Sequence, residues 1–261
     1  MCELLGMSAN VPTDICFSFS GLRARGGRTG PHRDGWGMAM YRDGHVWTMH
    51  DPRASCDSDL AEVMSKTSLK CDIVISHIRQ ANVGAVSLPN THPFSRILWG
   101  KTWTYAHNGQ LEGAELLPVG LHQPLGMTDS ERAFCWIIQQ LSLRFCDQEP
   151  ALTVLSEAIT ELALQLKEKG VFNMMLSDGA VLYCFCTTKL HWIVRRAPFK
   201  QATLSDEDIS VDFQEVTSDK DVVTVIATRP LTNNEEWEEM MPGELCAFQG
   251  GEVVFQKKPN E

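Results

Sequence analysis

The chain has no run of apolar residues approaching the ~18 that a membrane-crossing helix needs. It has no surplus of positive charge: 23 Lys and Arg stand against 33 Asp and Glu, a net charge of −10. No basic patch with interleaved aromatics appears, so neither a nucleic acid nor a membrane is expected as a partner. No Cys-x-x-Cys and no His-x-x-x-His pattern is present. Cys184-Phe185-Cys186 alternates across a strand instead of forming a ligand turn, so no metal and no cofactor are expected. There is no internal repeat and no low-complexity linker. No apolar leader stands ahead of the first cysteine, and the nine cysteines are odd in number and irregularly spaced. A reducing, cytoplasmic setting fits that usage.

What remains is an ordinary core-forming composition, with 43% hydrophobic and 21% charged residues. It is expected to fold as one domain over residues 1–261. Strand signals dominate both ends. Cys2 to Met7, Met38 to Tyr41, His45 to Met49 and Cys71 to His77 read as strands, the middle two joined by an Asp43-Gly44 turn. Asn10 and Pro12 suit a helix start, which predicts a helix over Thr13 to Leu22. Arg25 to Pro31 reads as a flexible glycine-rich loop. Trp103 to Ala106 reads as a strand running into an Asn108-Gly109 turn. Thr128-Asp129-Ser130-Glu131 has the form of a capping box, in which Thr128 caps the helix and Glu131 reaches back. Helices are predicted from there to Phe145 and over Ala151 to Lys169. Strands resume at Val171 to Leu176, Val181 to Cys186, His191 to Arg195 and Val222 to Thr228, and a last hairpin closes around Gly250-Gly251. Strands, two helices, then strands again suit an α+β fold of two packed sheets with helices outside.

Cys2 concentrates the chemistry. Removal of Met1, expected because the next side chain is small, would leave a thiol and a free α-amine on one Cα. The amine, with a pKa of about 7.7–8.0, is a base poised near working pH. Arg79 follows a buried strand and carries the planar fork that grips a carboxylate through two parallel hydrogen bonds. Asn108 and Gly109 offer an amide N–H and a backbone N–H that can converge on a developing oxyanion. Asp129 sits in a first helical turn, where it can complement the helix dipole or receive a substrate ammonium. Together these groups describe recognition of an α-amino acid and acyl transfer from its side chain.

Met1-Cys2, His77-Ile78-Arg79, Asn90-Thr91-His92-Pro93-Phe94, His107-Asn108-Gly109 and Thr128-Asp129-Ser130-Glu131 occur in this order. In that series the chain resembles the class II glutamine amidotransferases, which are N-terminal-nucleophile hydrolases, and within them the stand-alone bacterial members. The resemblance implies a four-layer αββα sandwich of two mainly antiparallel sheets with outer helices. It implies glutamine as substrate, with ammonia and glutamate as products. It implies Cys2 as nucleophile, Asn108 and Gly109 as oxyanion hole, and Arg79 and Asp129 as substrate-binding residues. Relatives fused to a synthase carry an aromatic residue after the arginine and then Thr-His-Gly; here the loop reads Gln80-Ala81-Asn82-Val83-Gly84. That difference leaves γ-glutamyl amides or peptides open as substrates, and a catalytically silent amino-acid-binding module as a further reading. A separate synthase subunit is the expected acceptor of ammonia, since no synthase domain follows in the chain.

Overall fold

The computed structural model describes residues 2–81, 84–146, 148–215 and 217–259. In chain order, β1 (Glu3–Thr13), α1 (Cys16–Arg25), β2 (Trp36–Arg42), β3 (His45–Asp51), α2 (Asp59–Lys66) and β4 (Cys71–Ile78) come first. Then follow β5 (Phe94–Leu98), β6 (Lys101–Leu111), α3 (Asp129–Phe145) and α4 (Leu152–Lys167). The second half holds β7 (Gly170–Ser177), β8 (Leu182–Phe185), β9 (His191–Arg196), β10 (Gln201–Thr203) and β11 (Ser210–Asp212). It ends with β12 (Val222–Ala227), β13 (Glu238–Glu239), β14 (Leu245–Gln249) and β15 (Glu252–Lys257).

Two antiparallel sheets carry the fold. The first runs β13-β9-β12-β1-β4-β2-β3 and the second β15-β14-β8-β7-β6-β5, with β10 and β11 as a separate ribbon. Alternation along β1 shows how the layers stack. Leu4 belongs to the core between the sheets, with Ile75, Met175 and Leu182. Leu5 and Met7 face the other way, onto Phe19 and Leu22 of α1. A third core packs β6 and β7 against α3 and α4 through Tyr105, Phe172, Phe134 and Ile159. Fully burying each such side chain stabilises the fold by roughly 1.5–3 kcal/mol. The order helix, sheet, sheet, helix is the expected αββα sandwich. The sheets pack tightly at Gly6, where an added Cβ would lie 3.0 Å from Met175 Sδ and 3.1 Å from Leu182. No helix among the described residues is long and apolar enough to cross a membrane.

Three local expectations are corrected. Asn10 and Pro12 do not start a helix; they continue β1, and the helix begins at Cys16. The Asn10 side chain accepts from Val222 N–H and donates to the Lys220 carbonyl, so it ties β1 to β12 instead of capping. Pro12 lies where the β1–β4 register shifts between Ser8 and Thr13, a break in the ladder that suits a residue without an N–H. Asn108-Gly109 is not a turn. Both lie within β6, paired with Asn173 and Phe172 of β7. The capping box is half made: Thr128 accepts from Glu131 N–H, but the Glu131 carboxylate instead takes the Leu125 and Gly126 N–H groups and Arg96.

Candidate active site

The strand ends bring the candidate residues together. Cys2 stands just ahead of β1, two residues before Leu4 and so on the face turned between the sheets. β4 lies beside β1, with Glu3 opposite Ile78, which places Arg79 and Gln80 next to Cys2. The Gln80 N–H donates to Cys2 Sγ at 3.3 Å, and the Gln80 carbonyl lies 3.5 Å from the same sulfur as acceptor for the thiol. Asp129 opens α3 and accepts from the Leu111 N–H at 2.8 Å, which fixes the helix N-terminus to the end of β6. Cys2, Arg79, Gly109 and Asp129 line one pocket, together with Gln80, His92, His107 and Ser130. Its volume is about 30 Å³, close to the liquid volume of one water molecule.

Asn108 is not among the lining residues, although its neighbour is. Its side chain is turned between the sheets, where Nδ2 reaches Thr228 Oγ1 at 3.5 Å. Thr228 Oγ1 also accepts from the Leu4 N–H at 2.9 Å, so one hydroxyl links Asn108 to the start of β1. Asn108 Oδ1 is buried without a partner among the described residues. Gly109 has a packing reason to be glycine: a Cβ there would fall 1.8 Å from the Val171 carbonyl oxygen and 2.6 Å from His107 Nε2. The Arg79 guanidinium, nearly fully buried, donates to the carbonyls of Gly84 at 3.2 Å and Ala85 at 3.1 Å. Met1, whose removal is expected, and Asn82 and Val83 of the loop after Arg79 lie outside the described residues.

Residues 1–261 match the family described as class-II glutamine amidotransferases. The chain belongs to that family. The chain is 54% identical over 254 residues to the putative glutamine amidotransferase YafJ of Escherichia coli (strain K12), covering 97% of this chain and all of YafJ. It also matches a crystal structure from Pseudomonas aeruginosa PA01 described as a predicted glutamine amidotransferase. That match has a TM-score of 0.77 and 47% identity, covering 97% of this chain and 100% of the other. Glutamine phosphoribosylpyrophosphate amidotransferase from B. subtilis matches over 98% of this chain and 49% of its own, with a TM-score of 0.64. At 15% identity that likeness concerns the fold alone.

Electrostatics around the pocket pull on Cys2 in both directions. Burial pushes the thiol up most strongly; the Gln80 backbone hydrogen bond and the Arg79 charge pull it down, and Asp129 pushes it up again. The net direction is upward, so the thiol needs a nearby base to become a thiolate. His107 is held neutral by burial, against the charge of Asp129. Its Nε2 lies 3.0 Å from the Val171 carbonyl, which can only accept, and its Nδ1 lies 2.8 Å from Ser130 Oγ. That pairing puts the proton on Nε2 and lets Nδ1 accept from Ser130. His92 and His77 stack at 4.2 Å between ring centroids, and all four of their nitrogens are buried without a partner among the described residues.

Several supporting residues escape a reading of the sequence. Asn173 is wholly buried in β7 and donates to the Asn108 carbonyl at 3.0 Å. Its Oδ1 accepts from the N–H groups of Thr187, Thr188 and Lys189. Its one sequence signal is a lone amide inside the apolar run Val171 to Leu176. Arg25, expected in a flexible loop, is instead buried at the end of α1. It donates to Glu3 at 3.1 Å, to Asp206 at 2.7 Å and to the Arg229 and Pro230 carbonyls. Arg229 holds the other oxygen of Glu3 at 2.8 Å. Glu3, next in sequence to the nucleophile candidate, is therefore clamped from outside the sheet while Cys2 faces inward.

Proposed function

We propose that this chain hydrolyses the side-chain amide of glutamine, with Cys2 as nucleophile. The observation that carries the reading is the shared pocket of Cys2, Arg79, Gly109 and Asp129, drawn from four separate stretches of chain. In the mature chain the α-amine of Cys2 takes the thiol proton. The thiolate attacks the amide carbon, forming an S–C bond and pushing the carbonyl electrons onto oxygen. Asn108 and Gly109 stabilise that oxyanion. The C–N bond then breaks, and the protonated α-amine gives its proton to the leaving ammonia. Water hydrolyses the thioester to glutamate and regenerates the thiol. Arg79 binds the α-carboxylate and Asp129 the α-ammonium.

A pocket of about 30 Å³ does not admit glutamine as it stands. The substrate carboxylate would replace the Gly84 and Ala85 carbonyls on Arg79, exchanging two neutral acceptors for a charged, bidentate one. Free glutamate release from Met-free protein tests the reading, with glutamine, γ-glutamyl amides and γ-glutamyl peptides offered side by side. Release from glutamine that disappears in Cys2→Ala supports it. Release from γ-glutamyl peptides alone assigns a different substrate, and release that survives Cys2→Ala overturns the mechanism.

A further inference from the structure

A much larger cavity lies at the other end of β1, and we propose that it binds a small carboxylic acid with an apolar, ring-bearing body. It measures about 610 Å³, within the ~300–1,000 Å³ typical of small-molecule sites. Its wall is built from Ile15 and Phe17 at the start of α1, Val223 and Val225 of β12, and Phe199 and Phe213 beside the β10–β11 ribbon. Val11, on its wall, lies nine positions along the chain from Cys2, ~30 Å of extended strand, and Met7, which also lines it, faces α1 while Cys2 faces the other sheet. The proposal is therefore independent of the reading of the Cys2 pocket.

The polar groups of the cavity set the head group. Arg195 is buried to 8% exposure and lines the wall. Its Nε and Nη2 form a bidentate pair with Glu235 at 2.9 and 2.6 Å. Its guanidinium lies 4.7 Å from the Phe213 ring centroid, and Phe17 meets Phe213 edge-on at 5.6 Å. Nη1 has no hydrogen-bond partner among the described residues. Lys70, exposed at its edge, and the buried Ser18 also line the cavity, and the Lys70 ammonium and Ser18 hydroxyl lack a hydrogen-bond partner among the described residues.

The carboxylates of the wall are already engaged. Asp14 accepts from Ser68 Oγ and the Cys16 N–H, and Asp221 accepts from the Ser218 hydroxyl and N–H. The unmatched groups are thus donors above an aromatic and branched aliphatic floor, and of the two cations only Lys70 lacks an ion-pair partner among the described residues. Glu235 offsets part of the Arg195 charge, which favours a singly charged carboxylate over a phosphate dianion. Cys16 lines the same wall, but burial and then Asp14 push its thiol up to about 12, so it stays protonated at neutral pH and the site is non-covalent.

Calorimetric titration of the full chain with 3-phenylpropionate, 3-phenylpropanol and 3-phenylpropylamine tests this. The acid should bind at one site, about tenfold or more tighter than the alcohol or the amine, a gap of about 1.4 kcal/mol. Lys70→Met should weaken the acid, and Val211→Trp, which fills the cavity from its rim, should remove binding. Cys2→Ala should leave it unchanged. Absence of saturable binding, equal binding of the alcohol or amine, or binding that persists in Val211→Trp overturns the proposal. So does binding lost in Cys2→Ala, which would move the acid to the other pocket.

Discussion

The two ends of β1 carry opposite kinds of cavity. At the Cys2 end the space is about 30 Å³, and the groups around it are charged or hydrogen-bonding. At the Thr13 end it is about 610 Å³, and its floor is aromatic and branched aliphatic. Volume alone would direct attention away from the end where the proposed bond-breaking chemistry lies. A reacting site gains from fixed donors held where charge will develop, in little space and little water. A site that only binds gains from apolar area and a few polar anchors. One strand borders both because its two faces and two ends meet different layers.

The comparison breaks most completely with Cys2→Ala, which should abolish glutamate release while leaving the large cavity able to bind 3-phenylpropionate. Next in size is Arg25→Met. It leaves Glu3 buried with only its Arg229 contact, and losing one partner of a buried ion pair costs about 3–5 kcal/mol. Chemical denaturation should show that loss, and activity should fall with it because Glu3 adjoins Cys2. Asn108→Ala should lower kcat by ~10²–10³, with a smaller effect on the thermal midpoint, since the backbone there stays bonded to Asn173. Equal loss of stability and rate would make Asn108 a structural residue only.

Acid should act on the small-pocket end through its histidines. Burial, and then the charges of nearby imidazoles and Arg79, lower His92 well below the ordinary range and His77 to about 3. As pH falls below about 6.5, the unfolded chain takes up protons that the folded histidines refuse. Stability present above that pH is therefore lost on acidification, by up to about 1.4 kcal/mol per pH unit for each histidine. For His77 the loss continues down to about 3. Thermal midpoints between pH 7 and pH 4 should fall less steeply in His77→Phe than in the parent chain. The smallest effect sharpens the contrast from the other side: Val211→Trp should leave glutamate release unchanged.

Much of this was legible in the sequence. β4 and the arginine after it, the Thr128 cap, the two long helices, β7, β8, β9, β12 and the β14–β15 hairpin follow from local patterns, whereas the short β10 and β13 do not. The ordered motifs pointed to the family and to Cys2, Arg79, Gly109 and Asp129, which meet in one pocket, while Asn108, named with them, does not line it. What stayed hidden depends on partners far along the chain. An Asn-Gly pair signals a turn locally, yet pairing with Asn173 and Phe172, more than sixty residues away, keeps it in a strand. Asn10 looks like a cap until Lys220 and Val222 take its amide. Glycine neighbours made Arg25 look mobile, and only the fold supplies the buried carboxylate that holds it.

None of the bonds that fasten Glu3 and Leu4 uses the α-amine of Cys2. The ties that hold the start of β1 run through side chains and backbone groups beyond Cys2, so that amine carries no structural duty in them.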